Sequence, residues 1–125
     1  MKRLTITTVA LLILACVTYI SVSLAGDVKI ADVKARSAGS SWSFSVTLKH
    51  ADEGWDHYAD LWQIYTLDGK LLGERILAHP HVQEQPFTRS LSGVQVPDGI
   101  DEVIIRARDT VHGVSAQEYK VLLPH

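Results

Sequence analysis

An alternation of apolar and polar residues with a period of two is the sequence feature that most constrains the fold. The run WSFSVTL at residues 42–48 places its aromatic and aliphatic members on one face and its serines and threonine on the other. A β-strand with one buried face requires this pattern, since successive side chains point to opposite sides. After residue 25 the chain has no convincing apolar stripe at the 3.6-residue period of a helix. The sequence therefore predicts an all-β fold.

Turn residues divide the chain into seven predicted strands. Asp68-Gly69 suits a tight hairpin and Pro97-Asp98-Gly99 suits another turn, because these residue types favour turn conformations. The predicted strands are 28–34, 42–48, 58–67, 71–77, 87–96, 103–107 and 119–123. Seven short strands in about 100 residues favour an antiparallel two-sheet sandwich.

This layout resembles immunoglobulin-like and fibronectin type III-like modules. The resemblance covers residues 26–125 at the level of architecture and places Trp62 like the buried tryptophan of the third strand in those modules. It implies a seven-stranded antiparallel sandwich. It implies no particular activity, because folds of this kind carry many unrelated functions.

The first 25 residues have the pattern of an export signal. Lys2 and Arg3 supply positive charge, residues 11–17 are apolar, and Ser23-Leu24-Ala25 offers the small residues of a cleavage site. We therefore predict a cleaved signal peptide at 1–25 and a single sandwich domain at 26–125. The expected location is the periplasm or the exterior of the cell.

Two alternatives for the N-terminal segment stay open. Leu14-Ala15-Cys16 loosely resembles a lipoprotein cleavage box, which would leave a lipid anchor on Cys16. Residues 4–25 could instead remain uncut as a membrane anchor, since about 20 largely apolar residues span a bilayer. The several threonines and serines in this segment favour the cleaved signal over the anchor.

The charge and the sulfur content of the chain limit the classes of ligand that the protein can bind. The chain after residue 25 keeps all 14 acidic residues and 10 of the 12 basic ones, a formal charge of −4 with neutral histidines. No basic run offers a surface for nucleic acid or anionic lipid. Cys16 and Met1 are the only sulfur-containing residues, so the predicted domain has no sulfur ligand for a blue-copper or copper(I) site.

Five of the six histidines lie in three segments that connect predicted strands: 50–57, 78–86 and 109–116. Consecutive antiparallel strands run in opposite directions, so the connections after the second, fourth and sixth strands lie at the same end of the sandwich. The connections at the opposite end contain no histidine. Because imidazole is a common ligand of transition metals, this convergence predicts a metal site. The predicted ligands are His79, His81, His50, His112 and His57.

The strongest local signal is His79-Pro80-His81, in which residues i and i+2 of an extended segment share one face. His50 continues the register of the strand before it and points inward, which also suits a buried histidine with a hydrogen-bond partner. His57 could likewise pair with a neighbouring carboxylate. The nearby acidic residues are Asp52, Glu53, Asp56, Glu84 and Asp109. Nitrogen-rich ligands with one carboxylate or water suit copper(II) or zinc(II) better than calcium.

Two functions of different classes follow. The first is an exported carrier, buffer or sensor of copper(II) or zinc(II). The alternative is a module that binds an exported protein or a glycan through Trp55 and Tyr58 without metal. We expect no enzymatic activity, since no nucleophile motif is present. An open zinc site with Glu53 or Glu84 as general base is the one hydrolytic alternative.

Two further side chains carry structural predictions. Trp55 is expected to fold over the opening of the core rather than remain exposed. Arg89 alternates in step with Phe87 and Leu91, which places it on the inward face of its strand. A buried guanidinium needs a carboxylate, and the sequence offers Asp60 as its partner.

Overall fold

The computed structural model describes residues 27–125, and the predicted signal peptide, its cleavage site and Cys16 lie outside the described residues. These described residues form eight strands: β1 (Lys29–Ala38), β2 (Ser41–Lys49), β3 (Ala59–Thr66), β4 (Leu71–Ile76), β5 (Phe87–Val94), β6 (Glu102–Asp109), β7 (Gly113–Val114) and β8 (Tyr119–Leu122). All pairings are antiparallel. Within residues 27–125, no helix has the length and apolar character needed to cross a bilayer.

The strands form two sheets that enclose the core. β1, β2 and β5 form a three-stranded sheet, and β4, β3 and β6 continue into β7 and β8 in a five-stranded sheet. The sequence predicts seven strands, and the structure has eight. Both β7 and β8 pair with β6, at Arg108–Asp109 and at Glu102–Ile105 respectively. The eighth strand arises because the chain already returns along β6 at Gly113, before the predicted last strand begins.

The period-two pattern places the core where the sequence predicts it. In β2, Phe44, Val46 and Leu48 are buried, while Ser45 and Thr47 hydrogen-bond across the outer face to β5. In β3, Trp62 and Ile64 are completely buried against this layer. Each buried side chain of this size contributes about 1.5–3 kcal/mol through removal of apolar surface from water.

The three histidine-bearing connections meet at one end of the sandwich, as strand parity predicts. The main chain of Thr110 donates a hydrogen bond to the carbonyl of Tyr58 at 3.0 Å. Gln85 accepts from the main chain of His50 at 3.0 Å and donates to the carbonyl of His81 at 2.9 Å. These bonds join the connection after β2 to the connections after β4 and β6, and so fix the end that carries the histidines.

Candidate metal centre

The ring of His50 points into the interior and has a fixed orientation. It continues the inward register of β2 and is buried together with Asp52 two residues later. Its Nδ1 lies 2.5 Å from Asp52 Oδ1, to which the protonated ring nitrogen donates. A carboxylate that accepts from Nδ1 fixes the tautomer in which Nε2 carries a lone pair, an arrangement common among metal-binding histidines.

Asp52 is fixed by main-chain groups from two other segments. Its Oδ1 also accepts from the main chain of Ala59 at 3.1 Å, and its Oδ2 accepts from the main chain of His81 at 2.7 Å. Asp52 therefore ties the connection after β4 to the start of β3 and orients His50 at the same time. Its buried carboxylate is satisfied without a lysine or arginine partner within residues 27–125.

Asp109 lies at the end of β6 and is completely buried. Its Oδ1 accepts from the main chains of Val111 at 2.8 Å and His112 at 2.5 Å, so the carboxylate caps the turn that follows. Gly113 closes this turn with a φ of 73°, a conformation that glycine adopts at little cost. Burial raises the pKa of Asp109, but these main-chain bonds and the His112 ring outweigh burial, and the pKa lies below its ordinary value. The carboxylate is thus held in its charged form.

The other oxygen of Asp109 faces three imidazole rings. Oδ2 lies 3.4 Å from His50 Nε2, 3.8 Å from His57 Nε2 and 3.0 Å from His112 Nδ1. These rings also contact one another, with centroids 4.8 Å apart for His50 and His57 and 5.1 Å apart for His57 and His112. One charged oxygen therefore lies at the centre of a group of nitrogen donors.

A tight turn brings His57 into this group. Gly54 has a φ of 122° and pairs with His57 across a short bridge, so the chain reverses between them. The side chain of His57 is 13% exposed, and Nδ1 lies 3.6 Å from the exposed carboxylate of Glu53. Its Nε2 is buried and has no hydrogen-bond partner in the part of the chain that the structure describes. A buried polar atom without a partner is costly, and a bound cation would remove that cost.

The donor atoms of His50, His57 and Asp109 all lie within 4.8 Å of one another. For metal–nitrogen bonds of about 2.0–2.1 Å, the donors of a tetrahedral site lie about 3.3–3.4 Å apart. The 3.4 Å and 3.8 Å separations from Asp109 therefore need only small side-chain rotations to fit such an ion. The arrangement offers two nitrogens and one charged oxygen, and it leaves a coordination position for water or a further ligand.

His79 and His81 have a different environment at the same end. Their rings lie 4.5 Å apart, and the His81 ring stacks on Phe87 at 4.0 Å. The Arg89 guanidinium donates to His81 Nε2 at 2.9 Å. Burial lowers the pKa of His81, and the charges of Arg89 and His79 lower it further. His81 is therefore held as a neutral ring whose accepting nitrogen already has a cationic partner.

The sequence-predicted ligands thus divide into two groups. His50, His57 and His112 surround Asp109, whereas His79 and His81 belong to neither set of metal-compatible donors among residues 27–125. Sequence reasoning named Asp52 and Asp109 only among five nearby acidic residues. The spacing His50–Asp52, and the Asp109 turn that ends in Gly113, are the sequence signals that distinguish these two.

Two structural predictions are wrong. Trp55 is 68% exposed and forms an edge contact with Tyr58 at 5.7 Å, because the turn around Gly54 directs it outward instead of over the core. Arg89 has the predicted inward phase but not the predicted partner, since it contacts His81 and lies 3.4 Å from Glu84. Asp60 instead lies 3.7 Å from Arg108, which neighbours it across β3 and β6.

Comparisons with known proteins show similarity to a protein of related sequence and to a solved structure. The chain is 46% identical over 92 residues to a Halomicrobium mukohataei protein described as "Putative lipoprotein", a match that covers 73% of this chain and 45% of that protein. The structure is similar to the crystal structure of hypothetical protein PH1083 from Pyrococcus horikoshii OT3, with a TM-score of 0.51. That match covers 78% of this chain and 88% of the other at 12% identity, and it shows the fold alone.

No model of a known protein family matches the sequence. The chain spans less than half the length of the relative that it matches. It is thus an antiparallel β-sandwich with a histidine–aspartate cluster at one end, similar in sequence to part of the Halomicrobium mukohataei protein.

Proposed function

We propose that this protein is an exported carrier, buffer or sensor of a divalent transition metal, copper(II) or zinc(II). The observation that carries the proposal is the buried Asp109 oxygen that faces His50 and His57 at 3.4 Å and 3.8 Å, while His57 Nε2 has no hydrogen-bond partner among residues 27–125. His50, His57 and Asp109 are the proposed ligands. Asp52 positions His50, and His81 supports Asp52 through its main chain.

The charge balance of the cluster supports a cation. Within residues 27–125, the ion pairs of the buried carboxylates Asp52 and Asp109 involve only histidines. The charged, buried carboxylate of Asp109 has no arginine or lysine partner among these residues, and a bound cation beside it would offset the cost of burying its charge. Nitrogen and carboxylate donors together select zinc(II) or copper(II) over calcium.

A titration with Zn²⁺ and with Cu²⁺ tests the proposal on protein purified without a polyhistidine tag. We expect binding by calorimetry at neutral pH and a metal-dependent rise in Tm that a chelator reverses. His57→Ala should lose the tighter binding and the rise in Tm that accompanies it, since the substitution removes one of the three proposed ligands. His125→Ala is the matched control, because His125 pairs with Asp101 away from the cluster. Failure of both ions to bind the parent protein would reject the proposal.

The alternative function rests on Trp55. A tryptophan that is 68% exposed beside Tyr58 offers a large amphipathic contact for a partner protein or a sugar ring. A glycan panel applied to the parent and to Trp55→Ala separates this function from metal binding. Binding that depends on Trp55 and persists with chelator favours the alternative, whereas Trp55→Ala should leave the metal affinity unchanged.

Export is part of the proposal and rests on the first 25 residues and on the description of the relative. Mass spectrometry of the protein from its native membrane and soluble fractions distinguishes the two cleavage sites. We expect a soluble form that begins at Gly26. A membrane-bound form that begins at a lipidated Cys16 would instead place the metal site on an anchored domain.

The sandwich type is proposed as immunoglobulin-like or fibronectin type III-like. The support is the strand order, in which β1, β2 and β5 form one sheet and β4, β3 and β6 form the other with the last strands on its edge. An experimental structure in which β8 paired with β1 instead of β6, or β3 joined the sheet of β1 and β2, would contradict this assignment.

A further inference from the structure

A second set of donors lies beside the proposed ligands. Asp27, Asp109 and His112 also offer one ligand atom each within 4.8 Å of one another. Asp109 is common to both sets, whereas Asp27 and His112 are exposed. His112 Nδ1 lies 3.0 Å from Asp109 Oδ2, so two donors of this set are already in direct contact. This second set therefore borders the first on its solvent side.

The start of β1 holds Asp27 in place. Val28 is buried in the core directly after it. The side chain of Gln117 forms two hydrogen bonds with the main chain of Ile30. It accepts from the nitrogen of Ile30 at 2.8 Å and donates to the carbonyl of Ile30 at 3.1 Å. These contacts join the first strand to the segment that precedes β8 on the five-stranded sheet. Asp27 therefore lies just before an anchored strand, close to Asp109 and His112.

The two sets do not merge into one group within 4.8 Å. Two donors on the same ion, at bonds of about 2.1 Å, can be at most about 4.2 Å apart, when they lie on opposite sides of it. A single ion therefore cannot bind all five donors in the observed arrangement. Two positions that share Asp109 account for all of them.

Charge also favours a cation at the second position. Asp27 and Asp109 bring two carboxylates together, and within residues 27–125 neither forms an ion pair with a lysine or arginine. Like charges at this distance repel each other, and a divalent cation between them would reverse the sign of the interaction. One nitrogen and two oxygens, completed by water on the exposed side, suit zinc(II) with weaker affinity than a buried nitrogen-rich position.

We propose that Asp27, Asp109 and His112 hold a second divalent cation, next to the one at His50 and His57, with Asp109 shared by both. This inference rests on the proposed function. The two-ion arrangement gives the end of the sandwich a tight buried position and a weaker exposed one. The exposed ion can exchange with solvent while the buried ion remains.

The test is a Zn²⁺ titration followed by native mass spectrometry and calorimetry. The parent protein should bind two ions per chain, the second more weakly than the first. Asp27→Asn should bind one ion, with an affinity for that ion within about threefold of the parent value. Asp56→Asn, which removes an exposed carboxylate that belongs to neither set, should still bind two.

Three outcomes would overturn the inference. They are a parent protein that binds one ion, an Asp27→Asn variant that still binds two, and an Asp27→Asn variant whose first ion is bound much more weakly. Each of these outcomes leaves the proposed function standing, because the chain still binds zinc. A parent protein that binds no ion overturns both proposals, so the two failures are distinguishable.

Discussion

Two groups of histidines at the same end of this sandwich differ in the charge that they face. His50, His57 and His112 surround the buried carboxylate of Asp109, whereas His81 accepts a hydrogen bond from Arg89 and stacks on Phe87. An anionic neighbour favours a cation among the rings, and a cationic neighbour disfavours it. The charge beside the rings, more than the number of histidines, therefore decides where a metal ion can bind.

Asp52 connects the two groups, and its removal should have the largest effect on stability. Asp52→Ala leaves the main-chain nitrogens of Ala59 and His81 without their carboxylate acceptor and removes the acceptor of His50 Nδ1. We expect the free energy of unfolding to fall by about 3–5 kcal/mol, the range for removing one partner of a buried pair. Denaturant unfolding in chelator measures this change.

The matched control for Asp52 is Asp56→Ala, an exposed carboxylate in the same connection. Its effect should stay within about 0.5 kcal/mol, as for most surface substitutions. Equal effects for the two variants would show that Asp52 does not link the two histidine groups.

Metal-dependent stabilisation compares the groups directly. At a free Zn²⁺ concentration of 100 times Kd, one bound ion should stabilise the parent protein by about 2.7 kcal/mol. The double variant His79→Ala/His81→Ala should keep this increment, although its stability without metal falls. His57→Ala should lose it. If the stabilisation by Zn²⁺ disappeared only in the double variant, the ion would bind at His79 and His81 and not beside Asp109.

The pH dependence of stability should report on His81. Its pKa in the folded protein lies below the ordinary value of 6.5, so below pH 6.5 the unfolded chain binds more protons than the folded one. The free energy of unfolding should therefore decrease as the pH falls from 6.5 toward the folded pKa of His81. His81→Gln should show a smaller decrease than the parent, measured by denaturant unfolding in chelator between pH 7 and pH 5.

The exposed ion pair of Arg89 should matter least. Glu84 has a side chain that is 60% exposed and lies 3.4 Å from Arg89. Glu84→Ala should change the free energy of unfolding by less than about 1 kcal/mol, because solvent screens pairs of this kind. A larger loss in thermal unfolding would indicate that Glu84 helps to hold Arg89 against His81.

The sequence predicted which end of the sandwich carries the site, but not which of the histidines at that end form it. Alternation located β2 and β3 closely, and the order of strands and turns placed the three connections at one end. The pair His79-Pro80-His81 was the stronger prediction from the sequence than His50 or His57, because two rings on one extended segment are the clearest local pattern. In the structure the rings of that pair are near each other, but Arg89 occupies the accepting nitrogen of His81.

Trp55 shows a second limit of local patterns. Its apolar side chain predicted burial over the core opening, but the positive φ of Gly54 sets the direction of the turn and exposes it. Likewise the phase of Arg89 was predictable from its strand, whereas its partner was not. Asp60, the partner predicted from the sequence, lies instead beside Arg108, and both belong to the five-stranded sheet, whereas Arg89 belongs to the three-stranded one.

By itself, the sequence determined an antiparallel sandwich and the end of it at which five histidines lie. The hydrophobic period identifies each strand locally, and the alternating direction of consecutive strands then assigns each connection to one end. Only the tertiary structure decided which rings face Asp109 and which faces Arg89. Those contacts join residues that are distant in the sequence, such as His50 and Asp109 from different sheets. They depend on how the buried side chains pack and on which main-chain groups are available to hydrogen-bond with them.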